Sequence, residues 1–313
     1  MRVLVTGGAG FIGSNLVWTL LSGGHEVGVI DDMSTGSFAN MHPAAWSRTL
    51  DITGPDFAEA FASFAPEAVV HLAAQTSVTE SIKDPERDRL VNVEGTCAVA
   101  RAALAASARR MISASSAAVY GEPAEVPLRE TSLKRPINPY GESKLEAESV
   151  LASVLRGSAT DFASFRFANV YGPRQDWRGE GGVVAIFAAR MNAGEPPVMY
   201  GSGQQTRDFI YVSDVVAAIV AALESETPLA LVGEDGPAYN ISTGTEKNLE
   251  ELASALRLTV GYYGLIEREE ARDGDIVRSA LDPAKANAAL GWAAHAEFET
   301  ALGRTATWLA REQ

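Results

Sequence analysis

The stretch "LVTGGAGFIG", Leu4–Gly13, decides the fold. A β-branched run, Arg2–Thr6, leads directly into three spaced glycines, Gly7, Gly10 and Gly13. Ile12, Leu16, Val17 and Leu20 then recur at helical spacing, and Gly23 closes the pattern. Strand, glycine turn and helix in that order make a phosphate cradle. Glycine lets the backbone turn tightly against a pyrophosphate, and the helix N-terminus offers unpaired N–H groups and a positive dipole end. A glycine triplet alone is weak evidence, because any tight turn uses it. Here a second strand, Glu26–Asp31, ends in a carboxylate 18 residues after Gly13. A carboxylate there accepts hydrogen bonds from ribose hydroxyls and repels a 2′-phosphate, so NAD is favoured over NADP.

Working outward, apolar β-branched runs at Ala68–Ala74, Arg110–Ser115 and Phe162–Val170 alternate with helical patterns at Gly13–Leu21, Asp56–Phe64 and Pro85–Ser107. This alternation predicts an α/β fold with a doubly wound parallel sheet. "AVVHLAA", Ala68–Ala74, is nearly all apolar, as a central strand covered on both faces should be. After Gly172 glycine and proline become frequent, in "YGPRQ", "GEGG", "GEPP" and "YGSG". Helical patterns continue at Val184–Asn192, Ser213–Ser225, Asn248–Arg257 and Phe298–Ala310. The expected division is a dinucleotide-binding unit over residues 1–170 and a smaller C-terminal α/β substrate domain over 171–313, with some later segments returning to the sheet. Residues 258–268, "LTVGYYGLIER", are assigned no element.

A second constellation carries chemistry. "SASSAAVYGEP", Ser113–Pro123, ends the strand Arg110–Ser115, and "NPYGESK", Asn138–Lys144, follows. Asn138 and Pro139 suit a helix cap and first turn, which puts Tyr140 and Lys144 at i and i+4 on one face. A free tyrosine, with a pKa of about 10, is a poor base at neutral pH. A nearby ammonium and an oxidised nicotinamide both favour phenolate, so the phenol is expected to be brought down towards neutrality. Alone, such a pair is more often a packed tyrosine beside a solvated lysine; the glycine loop upstream reverses that weighting. Ser115 and Ser116 stand at a strand's carboxyl end, where parallel sheets bind ligands.

Bulk properties exclude other classes. The formal charge of −14 disfavours binding to nucleic-acid backbones. No apolar run reaches the roughly 20 residues that cross a bilayer, and a phosphate loop starting near residue 6 leaves no room for a signal peptide. The single cysteine, Cys97, cannot form an internal disulfide, which fits a cytoplasmic protein. His71 ends a buried strand and reads as a hydrogen-bonded core residue; His25, His42 and His295 have no metal-ligand spacing.

The chain resembles the extended short-chain dehydrogenase/reductases, with their Rossmann fold, and within them the UDP-glucose (UDP-galactose) 4-epimerase family. The resemblance covers nearly the full length and rests on "TGGAGFIG", "DDMSTG", "HLAAQTSV", "NVEGT", "SSAAVYG", "YGESK", "RFANVYGPRQ", "YGSGQQTRDFIYVSDV" and "RDGD". It implies Tyr140 as acid/base, Lys144 as its partner and anchor of the nicotinamide ribose, and Ser116 as the hydrogen-bonding hydroxyl. It implies further cofactor contacts at Gly7, Gly10, Phe11, Ile12, Gly13, Asp31, Asp32, Ser34, Gly36, Asp51, Ile52, Leu72, Ala73, Ala74 and Asn92. UDP-sugar contacts are implied at Asn169, Val183, Val198, Tyr200, Arg207, Arg272, Asp275 and Ser279, besides Ser116. Guanidinium forks suit a diphosphate bound by an acidic protein, which supports the arginines independently. The implied reaction oxidises the sugar C4 transiently, lets the 4-keto sugar turn over, and reduces it from the other face. The resemblance also implies a homodimer, through helices that include Pro85–Ser107 and the one after Asn138.

Three alternatives stand beside this one. Dehydratases of the same scaffold carry Asp–Glu after the catalytic hydroxyl; Ala117 and Ala118 cannot transfer protons. A UDP-glucuronate 4-epimerase needs a cation near C6, and Arg174 or Arg178 could supply it. A non-catalytic NAD sensor should have lost Tyr140 or Lys144, and both remain. Ser279 stands where some family members have a bulky tyrosine, which leaves room for an N-acetyl group and extends the expectation to UDP-GlcNAc and UDP-GalNAc.

Overall fold

The computed structural model describes residues 1–178, 182–230, 236–271 and 276–312. Its main sheet holds β1 (Arg2–Thr6), β2 (Glu26–Asp31), β3 (Trp46–Thr49), β4 (Ala68–His71), β5 (Arg110–Ser116), β6 (Asp161–Phe167) and, from the second half of the chain, Ala238–Ile241. The order is Ala238–Ile241, β6, β5, β4, β1, β2, β3, with every neighbouring pair parallel. Val3 and Val5 of β1 point into one apolar core and Leu4 into the other. Helix α1 (Phe11–Ser22) covers the first face with Leu16, Val17 and Leu20, and the helix Phe57–Phe64 covers the second with its three phenylalanines. That two-sided burial is why the strands read as unbroken apolar runs.

The sheet is the doubly wound one expected, with four local differences. β3, "WSRT", exposes three of its four residues, so no apolar period marks it. The expected strand Phe162–Val170 breaks at Ala168. The Ala168 N–H still bonds the Ile241 carbonyl (3.1 Å), whereas Asn169 turns to the Asp208 carbonyl (2.9 Å) and starts a separate ladder with Phe209–Tyr211. The expected helix Pro85–Ser107 is three pieces: Pro85–Arg89, a π-helical turn Leu90–Glu94, and Gly95–Ala105. Within residues 258–268 the helix Leu249–Val260 ends on left-handed Gly261 (φ 74°), and Glu267–Glu269 pairs in parallel with Val198–Tyr200.

Strand order reverses between β1 and β4. Loops leaving these neighbours diverge to opposite faces and open a crevice at their carboxyl ends. Residues after β1 and β4 therefore meet the end of β5 and the helix Pro139–Leu155 around one cavity.

Candidate active site

The crevice is a cleft of about 920 Å³. Gly7, Gly10, Phe11, Ile12 and Gly13 line one wall. The glycines are there for space: a Cβ on Gly13 would lie 2.1 Å from the Gly7 carbonyl oxygen, and one on Gly7 (φ +70°) would lie 2.6 Å from the Ala73 nitrogen. Among the described residues no side chain caps α1, so its first-turn N–H groups are left for a ligand in the cleft.

Asp31, Asp32, Ser34, Gly36, Asp51 and Ile52 line the next wall. Asp31 is buried and accepts from Ala9 N–H and Met33 N–H, both at 2.9 Å, so it also clamps the glycine loop to β2. Burial raises its pKa and these backbone donors pull it back. Asp32 turns one oxygen inward to Ser34 (2.9 and 2.6 Å), and Asp51 does the same to Thr53 (2.8 Å twice). A carboxylate has about four acceptor positions, so each retains capacity for ribose hydroxyls. Leu72, Ala73 and Ala74 complete this half, peeling away after β4 ends at His71.

Beneath them runs a relay. Thr96 donates to the Asn92 carbonyl (2.6 Å), so its oxygen accepts from His71 Nε2 (3.1 Å). His71 Nδ1 is then bare and accepts from Thr6 Oγ1 (2.7 Å). Burial holds this imidazole neutral, with its pKa down to about 3. It is a core histidine.

On the far side Ser116, Tyr140 and Lys144 converge. Asn138 caps the helix through the Gly141 N–H (2.9 Å), Pro139 occupies the first turn, and the i, i+4 spacing aims both side chains inward. Ser116 ends β5, accepts from Ala118 N–H (3.1 Å) and is hydrogen-bonded to the Tyr140 phenol. Lys144 is buried and donates to the Ala114 carbonyl at 3.2 Å. Burial pulls its ammonium down to about 8, while Asp88 and then Glu148 support its charge. The phenol departs from expectation. Burial pushes it up, the Ser116 hydrogen bond only partly opposes this, and Asp88 adds to the rise. Desolvation dominates the phenol, and a cation brought beside it in the cleft would favour phenolate and lower it.

Comparison with known proteins accords with this arrangement. Residues 3–242 match the family model described as "NAD dependent epimerase/dehydratase family". The chain belongs to that family. The UDP-glucose 4-epimerase of Mycolicibacterium smegmatis is 40% identical over 316 residues, which cover 97% of each chain. Among solved structures, the Thermotoga maritima UDP-glucose 4-epimerase with UDP-glucose superposes with a TM-score of 0.94 at 36% identity, covering 100% of this chain and 99% of that one. The Thermus thermophilus UDP-glucose 4-epimerase in complex with NAD gives 0.91 at 36% identity, covering 99% of each.

In this epimerase/dehydratase chain the substrate-side residues are more dispersed than the cofactor side. Asn169 lines the cleft at the Asn169–Tyr171 strand, and Val183 begins the helix behind the cleft residue Gly182. Val198 and Tyr200 lie in the ladder with Glu267–Glu269, Arg207 lies in the ladder with Lys247–Asn248, and Ser279 is buried; none of these four lines the cleft. Arg207 still adjoins it, because Asp208 beside it carries the carbonyl that binds Asn169. Arg272 and Asp275 lie outside the described residues.

Asn92 is corrected. It is 1% exposed and stands behind the wall, its amide engaged with Gln75, Asp88 and Ser143. Conversely, Gln175, Trp177, Trp308 and Glu312 line the cleft unanticipated, beside Arg174 and Arg178. Trp308 and Glu312 come from the helix Phe298–Glu312, whose sequence carries only an amphipathic period.

Proposed function

We propose that this protein inverts C4 of a UDP-hexose, interconverting UDP-glucose and UDP-galactose with NAD resident in the cleft. One observation carries the reading: the Ser116–Tyr140–Lys144 cluster shares a single cleft with an uncapped, glycine-cleared helix N-terminus. That cradle fits the cofactor. The first-turn N–H groups would take its pyrophosphate, Asp31 and Asp32 its adenosine ribose, Asp51 and Ile52 its adenine edge, and Lys144 its nicotinamide ribose. When bound, NAD supplies a hydride acceptor that carries positive charge beside Tyr140. The phenol oxygen of Tyr140 takes the proton from the 4-hydroxyl and returns it, and Ser116 holds both phenol and reacting oxygen. Asn169 and Arg207 are proposed on the diphosphate, with Arg272, and Asp275 on the uridine ribose; Val183, Val198 and Tyr200 are proposed around sugar and uracil. Ala117 and Ala118, which follow Ser116, have no group to move a proton, which disfavours elimination of water.

Activity on N-acetylated hexoses is proposed only from the small residue type at Ser279, which lies outside the cleft lining, and the Arg174 and Arg178 guanidinium groups in the cleft support UDP-glucuronate as the second reading. The lone Cys97 supports a reducing, cytoplasmic location. Exposed Leu90 and Leu104, in the π-helical turn and the helix Gly95–Ala105, support a homodimer. Incubation with UDP-glucose, UDP-GlcNAc and UDP-glucuronate separately, with products resolved by C4 stereochemistry, tests all three substrates. Absence of UDP-galactose from the first reaction rules out the main reading.

A further inference from the structure

Asp88, on the helix Pro85–Arg89, is 1% exposed. Its Oδ1 accepts from Gln75 Nε2 (2.7 Å) and Asn92 Nδ2 (3.2 Å). Its Oδ2 is buried without a hydrogen-bond partner, and no cation forms an ion pair with it among the described residues. Arg89, one position on, is engaged with Glu94 and Glu146 instead. An asparagine would make both of Asp88's hydrogen bonds and avoid burying a charge, which costs several kcal/mol. Hydrogen bonding therefore does not account for a carboxylate here.

The charge faces the back of the active helix. Asn92 Nδ2, bonded to Asp88, also donates to Ser143 Oγ (3.0 Å), and Ser143 lies between Tyr140 and Lys144 and donates to the Tyr140 carbonyl (3.0 Å). Gln75, Asp88's other donor, follows the cleft residue Ala74. Other groups around the pair are accounted for. Glu148 is neutralised by Arg166 (2.8 and 2.6 Å) and bonded by Ser115 (2.5 Å), His71 is neutral, and Ser116 carries no charge. Of the two carboxylates that Lys144 senses, Asp88 is the larger influence and the one with no ion-pair partner among the described residues.

We propose that Asp88 is a positioning residue for the Tyr140–Lys144 pair: its buried carboxylate, with one oxygen unpartnered and the other joined to the active helix through Asn92 and Ser143, sets the field behind that pair. The role rests on the reading of Tyr140 and Lys144 as the working pair. It also fixes a direction. The Asp88 charge raises both Lys144 and Tyr140, so removing it lowers both.

Asp88→Asn tests this in the NAD-loaded enzyme. The pH profile of kcat with UDP-glucose should move to lower pH on both limbs, by roughly one unit. Unmoved limbs with a lower kcat, limbs moved upward, or a variant that fails to fold overturn the proposal, because the amide satisfies the same hydrogen bonds. A second measurement needs no turnover: ultraviolet tyrosinate titration of the protein minus that of Tyr140→Phe, repeated on the Asp88→Asn background. A downward step for Tyr140 supports the proposal, and an unchanged step overturns it. If wild type turns over no UDP-sugar yet this step moves, the epimerase reading fails and the role of Asp88 stands.

Discussion

The Lys144 ammonium lies 6.0 Å from the centroid of the Tyr140 ring and is held by the carbonyl of Ala114, two residues before Ser116. One lysine thus ties the active helix to the end of β5, where the third member of the cluster stands. Packing fixes the pair, because the stem of Lys144 is buried between helix and strand.

Tyr140→Phe should lower kcat by about 10²-fold to 10⁴-fold or more, the usual worth of a general acid–base. The fold should survive, since the ring is retained and only the Ser116 hydrogen bond is lost. Product analysis at C4 with a parallel thermal melt checks this. Full activity, or a collapsed melt, would remove Tyr140 from its role.

Gly13→Ala should release the cofactor. The new Cβ would meet the Gly7 carbonyl at 2.1 Å, a backbone atom that cannot give way without opening the cradle. Gly23→Ala, at the other end of α1, meets nothing closer than 3.4 Å and serves as the control. NAD released on denaturing the purified variants should be lost from the first and kept in the second.

Stability should fall with acid partly through His71. Its folded value is depressed to about 3 from 6.5, so the unfolded chain gains a proton first. The stability that neutral His71 contributes is complete above 6.5 and lost as pH falls from there towards 3. Urea midpoints between about pH 7 and about pH 4 should slope less steeply for His71→Gln than for wild type; equal slopes would contradict the buried, neutral imidazole.

Arg166→Met should destabilise the fold by about 3–5 kcal/mol, because it leaves half-buried Glu148 without its buried counter-charge. Adding Glu148→Leu should return most of that loss. Denaturant unfolding of both variants measures it, and an additive double variant would show that the pair is not coupled.

The cofactor side was legible because its signals are local. Gly7, Gly10 and Gly13 act through backbone space within one turn, and Tyr140 and Lys144 share a face by helical period alone. β3 was hidden because an exposed edge strand such as "WSRT" carries no apolar alternation, and Ala238–Ile241 because its partner, β6, lies far back in the chain. Asn92 was expected at the cofactor from the resemblance; its motif could not show that its amide is engaged by Gln75, Asp88 and Ser143, which only the fold brings to it.

By itself the sequence determined the strand–glycine–helix unit, the parallel sheet it begins and the residue types of the reacting cluster, because each depends on spacings of a few residues. Tertiary structure alone decided the electrostatics. Only packing brings Asp88, Ser143 and Lys144 together, desolvates the phenol so that its pKa rises, and sets Trp308 from the last helix at the cleft. Charge in a desolvated site depends on what surrounds it in space, and neighbours in space are not neighbours in sequence.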